Sequence, residues 1–243
     1  MDAHTMRLTR TIASLAAAAT FAFTGTAFAD SMVFGSGDIN KTVTLTYNGY
    51  SGNGGASIGG LTGSTTFTLT GVSGNTYSFD YSVTNTSTTP VDGSRISSFA
   101  FNTDPTIASA TSTGAFAQTT LNSNYPNGIG TVDVCFKDAT TGSCAGGGSG
   151  GLTLGQTGTG SFSLSFSSPA TAVTLSDFFV RYQSIVGVPG ISSASGAGTI
   201  TTSTSTSTST GGTAVPEPGM LGLFALGLAG LALSRRRQVL RRA

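Results

Sequence analysis

KTVTLTYNG, residues 41–49, sets Val43, Leu45 and Tyr47 against Thr42, Thr44 and Thr46. A period of two is what a strand with one buried face requires, because successive side chains point to opposite sides of the pleat. The same alternation returns in TTFTLTG (65–71), TYSFDYSVT (76–84), SSFAFN (97–102), TVDVCFKD (131–138), SFSLSF (161–166) and AVTLSDFFVRY (172–182). Between these runs stand turn-forming clusters: SGNGG, SGNT, VDGS, NYPNG and CAGGGSGG. No stretch of the body keeps a 3.6-residue apolar pattern. The expected fold is therefore all-β, an antiparallel sandwich or a jelly-roll-like body. Phenylalanines at alternating positions are its core, each contributing about 1.5–3 kcal/mol when buried.

Both ends of the chain read differently. Arg7 and Arg10 precede an alanine-rich run from Thr11 to Phe23, and the small-residue triplet Ala27-Phe28-Ala29 follows. That order is a secretory signal peptide, a signal helix over residues 1–29 with cleavage after Ala29, so the mature chain would start at Asp30. Cleavage removes His4, the only histidine. At the other end, Gly219 to Leu233 forms an uncharged segment of about 22 Å as a helix, short against about 30 Å of hydrocarbon. It would insert as a short C-terminal transmembrane helix, with Arg235, Arg236, Arg237, Arg241 and Arg242 on the cytoplasmic side. The domain reading is a signal peptide at 1–29, an exported β-rich domain at 30–198, a Ser/Thr-rich linker at 199–214 and a C-terminal signal at 215–243.

The formal charge of +1 hides two unlike parts. Between the terminal segments, Lys41, Arg95, Lys137 and Arg181 face eight aspartates and no glutamate. An acidic body offers no groove for nucleic acid. Without an imidazole, Ser-His-Asp and Cys-His catalysis lack their base, and no catalytic residue or enzymatic role is expected. The remaining hydrolytic option is a carboxylate pair drawn from Asp133, Asp138 and Asp177, each of which also reads as a solvated strand-end or loop acid. No cofactor is expected. Calcium is the one ion considered, through FGSGDIN (34–40) and AFNTDPT (100–106), but the EF-hand spacing is absent and turn formation explains both stretches. The glycine-rich CAGGGSGGLTLGQTGTG lacks the Gly-Lys-Ser/Thr ending and the following helix of a phosphate-binding loop.

Cys135 and Cys144, the only cysteines, are expected to form one disulfide closing a short loop in an oxidising compartment. Thr42, Thr44 and Thr46, then Thr66, Thr68 and Thr70, would each line one face of a strand. Such ladders occur on ice-binding surfaces, but they also suit any solvated sheet. Asn40-Lys41-Thr42 and Asn85-Thr86-Ser87 fit the N-glycan acceptor pattern.

Val215-Pro216-Glu217-Pro218, the short apolar segment and the arginine cluster, in that order, resemble the PEP-CTERM sorting signal of Gram-negative bacteria. The resemblance implies recognition of Pro216, Glu217 and Pro218 by an exosortase in the inner membrane, after export and transient anchoring. It also implies a final place at the cell surface or outside the cell, in bacteria that make exopolysaccharide and biofilm. SSFAFNTDP, VDVCFKDATTGSCAGGGSGGLTLGQTGTGSFSLSF and FFVRYQSIVG with SASGAG resemble the cistern family of these substrates, over residues 31 to 198. The expected role is structural or adhesive; the alternatives are a carbohydrate-binding or calcium-dependent module and a carboxylate-dependent hydrolase.

Overall fold

A computed structural model describes residues 30–52, 56–140, 144 and 150–204. The signal-peptide positions Ala27 and Ala29 and the whole C-terminal signal, including Val215, Pro216, Glu217, Pro218, Arg235, Arg236 and Arg237, lie outside the described residues. Among the described residues no helix is long and apolar enough to cross a membrane.

The strands are β1 (Ser31–Gly35), β2 (Thr42–Tyr47), β3 (Gly63–Ser73), β4 (Thr76–Asn85), β5 (Gly93–Asp104) and β6 (Ile107–Ser112), followed by β7 (Gln118–Tyr125), β8 (Gly130–Lys137), β9 (Leu152–Thr153), β10 (Thr157–Phe166), β11 (Ala172–Val186) and β12 (Ser193–Thr204). Their pairings are all antiparallel. The hydrogen-bonded order is β6-β10-β4-β3-β2-β12-β11-β5-β8-β7, with β1 beside β11 and β9 beside β5. The sheet is folded over on itself until its terminal strands β6 and β7 lie close together, so that it is nearly closed. The all-β, antiparallel expectation holds, and the two faces of the fold belong to one continuous sheet.

β12 makes the fold continuous. Its first half pairs with β11 (Phe179↔Ala197, Tyr182↔Ala194), and its second half pairs with β2 (Gly198↔Tyr47, Thr204↔Thr42). This corrects the boundary drawn at residue 198. Thr199–Thr204 belong to a paired strand, because the open edge of β2 needs a hydrogen-bonding partner that a free tether would not supply.

The period of two decides what faces what. Val43, Leu45, Phe67, Leu69, Phe79, Val83, Phe162 and Leu164 from one layer meet Phe99, Phe101, Val134, Phe136, Val173, Leu175, Phe178 and Val180 from the other, all essentially inaccessible. Phe162 is the hub. Its ring centroid lies 4.8 Å from that of Phe136, 5.0 Å from Phe79, 5.6 Å from Phe67 and 5.8 Å from Phe101.

The chain crosses from one layer to the other between β6 and β7, over a short 3-10 turn at Gly114–Phe116. There the Tyr81 hydroxyl donates to the Thr113 carbonyl at 2.8 Å and accepts from the Phe116 N–H at 2.8 Å. The passage is tight: a Cβ on Gly160 would sit 2.1 Å from the Thr113 carbonyl oxygen. Only glycine admits this crossing.

Truncating Phe162 to Ala is expected to cost about 3–5 kcal/mol, because the hole it leaves is walled by both layers and cannot collapse. Urea unfolding of Phe162→Ala beside Thr66→Val, whose side chain points outward, measures this; the second variant should stay within about 0.5 kcal/mol of the parent.

Candidate functional site

The two layers present outer faces of opposite character. On the outside of β11, β5 and β8, one row runs Gln118, Lys137, Ser98, Arg181, Ser195 across five strands. Three of the body's four cations, Arg95, Lys137 and Arg181, lie on this face and are at most 8% exposed. Burial of a cation demands hydrogen-bond acceptors in place of water. Strands β11 and β12 and the segments at Asn127 and Gly150 supply them. Arg95 donates to the Gly150 carbonyl, to Gln183 Oε1 at 2.7 Å and to the Ser184 hydroxyl at 3.2 Å. Arg181 donates to Asn127 Oδ1 and to the Ser193 hydroxyl at 2.9 Å, while its Nε has no partner. Burial lowers the Arg181 pKa, opposed by Tyr125.

A second, small core closes this face: Ala100, Tyr125, Val132, Cys135 and Cys144, with Ile129 and Phe179 against it. Cys135 and Cys144 form the expected disulfide, with Cα atoms 5.9 Å apart. It holds Cys144 against Ser98, whose hydroxyl donates to the Cys144 carbonyl at 2.9 Å. The outer face of this layer is therefore a lidded interior.

Two of the three aspartates considered for hydrolysis, Asp133 and Asp177, are engaged by neighbouring residues of β5. Asp133 accepts from the Thr103 N–H at 2.8 Å, and Asp177 accepts from Asn102 Nδ2 at 2.9 Å. Asn102 Oδ1 in turn accepts the Asp133 N–H at 3.0 Å. Asn102 thus bridges two backbone irregularities, one where β5 parts from β8 and one at Asp177, which has φ of 52°. Asp138 stands apart, at the end of β8, with both carboxylate oxygens inaccessible and without a hydrogen-bond partner. Burial raises its pKa above the usual carboxylate range, opposed by nearby backbone N–H groups and by Arg95 and Lys137.

In the two stretches weighed for calcium, Asp38 caps the Gly35 N–H at 2.8 Å and pairs with Lys41 at 3.6 Å, and Asp104 is exposed before Pro105. Among the described residues no three His, Cys, Asp or Glu side chains come together. Asp30, the residue after the expected cleavage point, accepts the Ile200 N–H of β12. Of the two glycan acceptor asparagines, Asn40 is exposed. Asn85 is fully buried, its amide nitrogen donating to Ser94 and to the Leu152 carbonyl, and it is closed to modification in the folded chain.

The other layer is open. Outside its aromatic face, three rows cross β12, β2, β3, β4 and β10: Thr204, Thr42, Thr68, Asp80, Ser161; then Thr202, Thr44, Thr66, Ser82, Thr159; then Thr199, Thr46, Ser64, Thr84, Thr157. Every position but Asp80 is Ser or Thr. Neighbours pair across strands: Thr42 with Thr68 at 3.0 Å, Thr44 with Thr66 at 3.0 Å, Thr84 with Thr157 at 2.8 Å, and the Ser161 hydroxyl to Asp80 at 2.7 Å. The two threonine ladders legible in the sequence lie side by side, and the structure adds three more strands to them. A groove of about 450 Å³ opens at the β2–β3–β12 end of this face, between Thr46, Asn48, Thr62, Thr86 and Thr199 around Tyr47.

Beyond the folded domain, residues 214–237 match the family model of the PEP-CTERM protein-sorting motif. The chain carries a PEP-CTERM sorting signal. This signal implies export, membrane anchoring before processing, and an exosortase as the processing partner. No curated protein and no solved structure matches the chain. The PEP-CTERM match therefore speaks for the tail, and the body's chemistry must be read from its own two faces.

Two outcomes are expected from the lidded face. Because the folded state holds the Asp138 proton to a higher pH than the unfolded state does, stability attributable to this group falls as pH rises from the ordinary carboxylate range through its raised value. Asp138→Asn should therefore raise the thermal midpoint at pH 7 and lose that advantage near pH 3, as scanning calorimetry at both pH values will show. Replacing both cysteines by serine should cost about 2.5–3 kcal/mol by the loop-entropy estimate and open the segment after Lys137 to protease. Denaturant unfolding and limited proteolysis read the two effects.

Proposed function

We propose that this chain is a structural or adhesive protein of the cell surface or extracellular matrix, delivered there by exosortase-dependent sorting. The observation that carries the delivery half is the PEP-CTERM motif at residues 214–237. The adhesive half is supported by the contrast between faces. One buries its cations and carries the Cys135–Cys144 disulfide, and the other spreads a continuous field of hydroxyls outward. A body organised in this way suits contact with hydrated polymer in an exopolysaccharide or biofilm setting. The likeness of residues 31 to 198 to the cistern family fits the same role. On this reading the Ser/Thr run beyond Thr204 is the tether between body and signal.

Replacing Pro216, Glu217 and Pro218 together by alanine in an exosortase-bearing host tests the sorting step. The expected outcome is accumulation of an uncut, membrane-bound form, seen by fractionation and intact mass, while the parent is shortened at its C-terminus. Equal processing of parent and variant would remove the exosortase from this reading.

A further inference from the structure

We infer that the open hydroxyl face across β12, β2, β3, β4 and β10 is a binding surface for a neutral polysaccharide chain, with the groove beside Thr46 seating its sugar units. The inference rests on the surface role proposed above and names the chemistry of the partner.

Charge is the first discriminator. Asp80 is the only ionisable side chain in the three rows, and three of the body's four cations are buried on the opposite layer. The fourth, Lys41, is occupied with the Val33 carbonyl at 2.7 Å and lies 5.1 Å from the centre of the Phe34 ring. Nothing on this face attracts a polyanion, so uronate-rich polymers and nucleic acids are unsuited to it.

Hydrogen-bonding capacity is the second. A hydroxyl has one donor and two acceptor positions, and a cross-strand pair uses one of each. Each pair, such as Thr44 with Thr66, therefore keeps one donor and three acceptor positions for a ligand, with one rotor already fixed by its neighbour. A partner must offer donors and acceptors at close intervals and carry no charge. A neutral sugar chain does both. The hydroxyls repeat at about 4.8 Å across strands and about 6.8 Å along them, roughly the dimensions of one sugar ring. In the groove, the Asn48 carbonyl is taken by the Ala197 N–H at 3.1 Å, leaving the amide NH₂ as a further donor. Its volume of about 450 Å³ falls in the range of small-ligand sites.

Twist decides between a flexible polymer and a rigid lattice. Adjacent strands rotate by about 20–25°, so five strands turn through roughly 80–100°. A rigid crystalline plane such as ice meets only part of such a surface, whereas a flexible chain follows it. No aromatic ring lies in the rows to stack on a sugar, so each contact is weak and affinity accumulates along the polymer. Long chains should bind where short oligomers do not.

The test is native electrophoresis of the full-length protein through gels containing dextran, mannan or hydroxyethyl cellulose, with alginate as polyanion and maltohexaose as short competitor. At least one neutral polymer is expected to cut mobility roughly to half, without effect from alginate or release by maltohexaose. The variant carrying Thr44→Val, Thr46→Val, Thr66→Val and Thr199→Val keeps the β-branched shape and should keep the denaturation midpoint while losing the retardation. Migration unaffected by all three neutral polymers overturns the proposal. So does retardation unchanged in the variant, retardation by alginate, or inhibition of ice growth that the variant abolishes. None of these outcomes alters C-terminal processing, so the sorting reading stands or falls separately.

Discussion

The packing of Phe162 against rings from both layers is the contact on which the rest of this molecule depends. It joins β10 and its neighbours on one side to β5 and β8 on the other, and it fixes which face of every strand is inside. A slip of one residue in any pairing would carry that strand's rings into water and its hydroxyls into the core. The aromatic cluster forbids that slip. The regularity of the outer Ser and Thr rows is thus a by-product of the regularity of the buried rings, strand by strand.

With inside and outside assigned, the two outer faces diverge because of what covers them. The layer of β11, β5 and β8 carries cations that water or protein acceptors must satisfy; the Gly150 carbonyl meets Arg95, Asn127 meets Arg181, and the Cys135–Cys144 disulfide holds the Cys144 carbonyl against Ser98. The layer of β2, β3, β4 and β10 carries hydroxyls that satisfy one another laterally and need no cover. This difference turns an ordinary division between core and solvent into a body with one sealed and one available side.

The strands whose rings alternate with Ser and Thr were legible in the sequence, because burial on one face and solvation on the other leave a period of two. β1, β6, β7, β9 and β12 were not among the strands read there. β6 and β7 are terminal strands with few buried side chains, so their pattern is weak. β12 hides in two ways. Its Gly-rich half owes its place to close approach, since a Cβ at Gly196 or Gly198 would collide with Tyr182 or Tyr47. Its Ser/Thr half has the composition of a tether and becomes a strand only because β2 offers it an edge. In the candidate site, the disulfide followed from counting cysteines, and the threonine ladders from spacing. The linking of Asp133 and Asp177 through Asn102 depends on a backbone irregularity that no local pattern announces.

β12 is also where the folded domain hands over to its C-terminal extension. The strand is laced to β2 through its last residues and to β11 through its first, so the two layers are connected to it in series. Drag on a body held by that extension would enter at Thr204. A pull along the strand axis must shear the whole β2 ladder before it reaches the β11 ladder, because bonds loaded side by side yield together. The protein would hang from the strand that ties one layer to the other, an attachment suited to resisting flow.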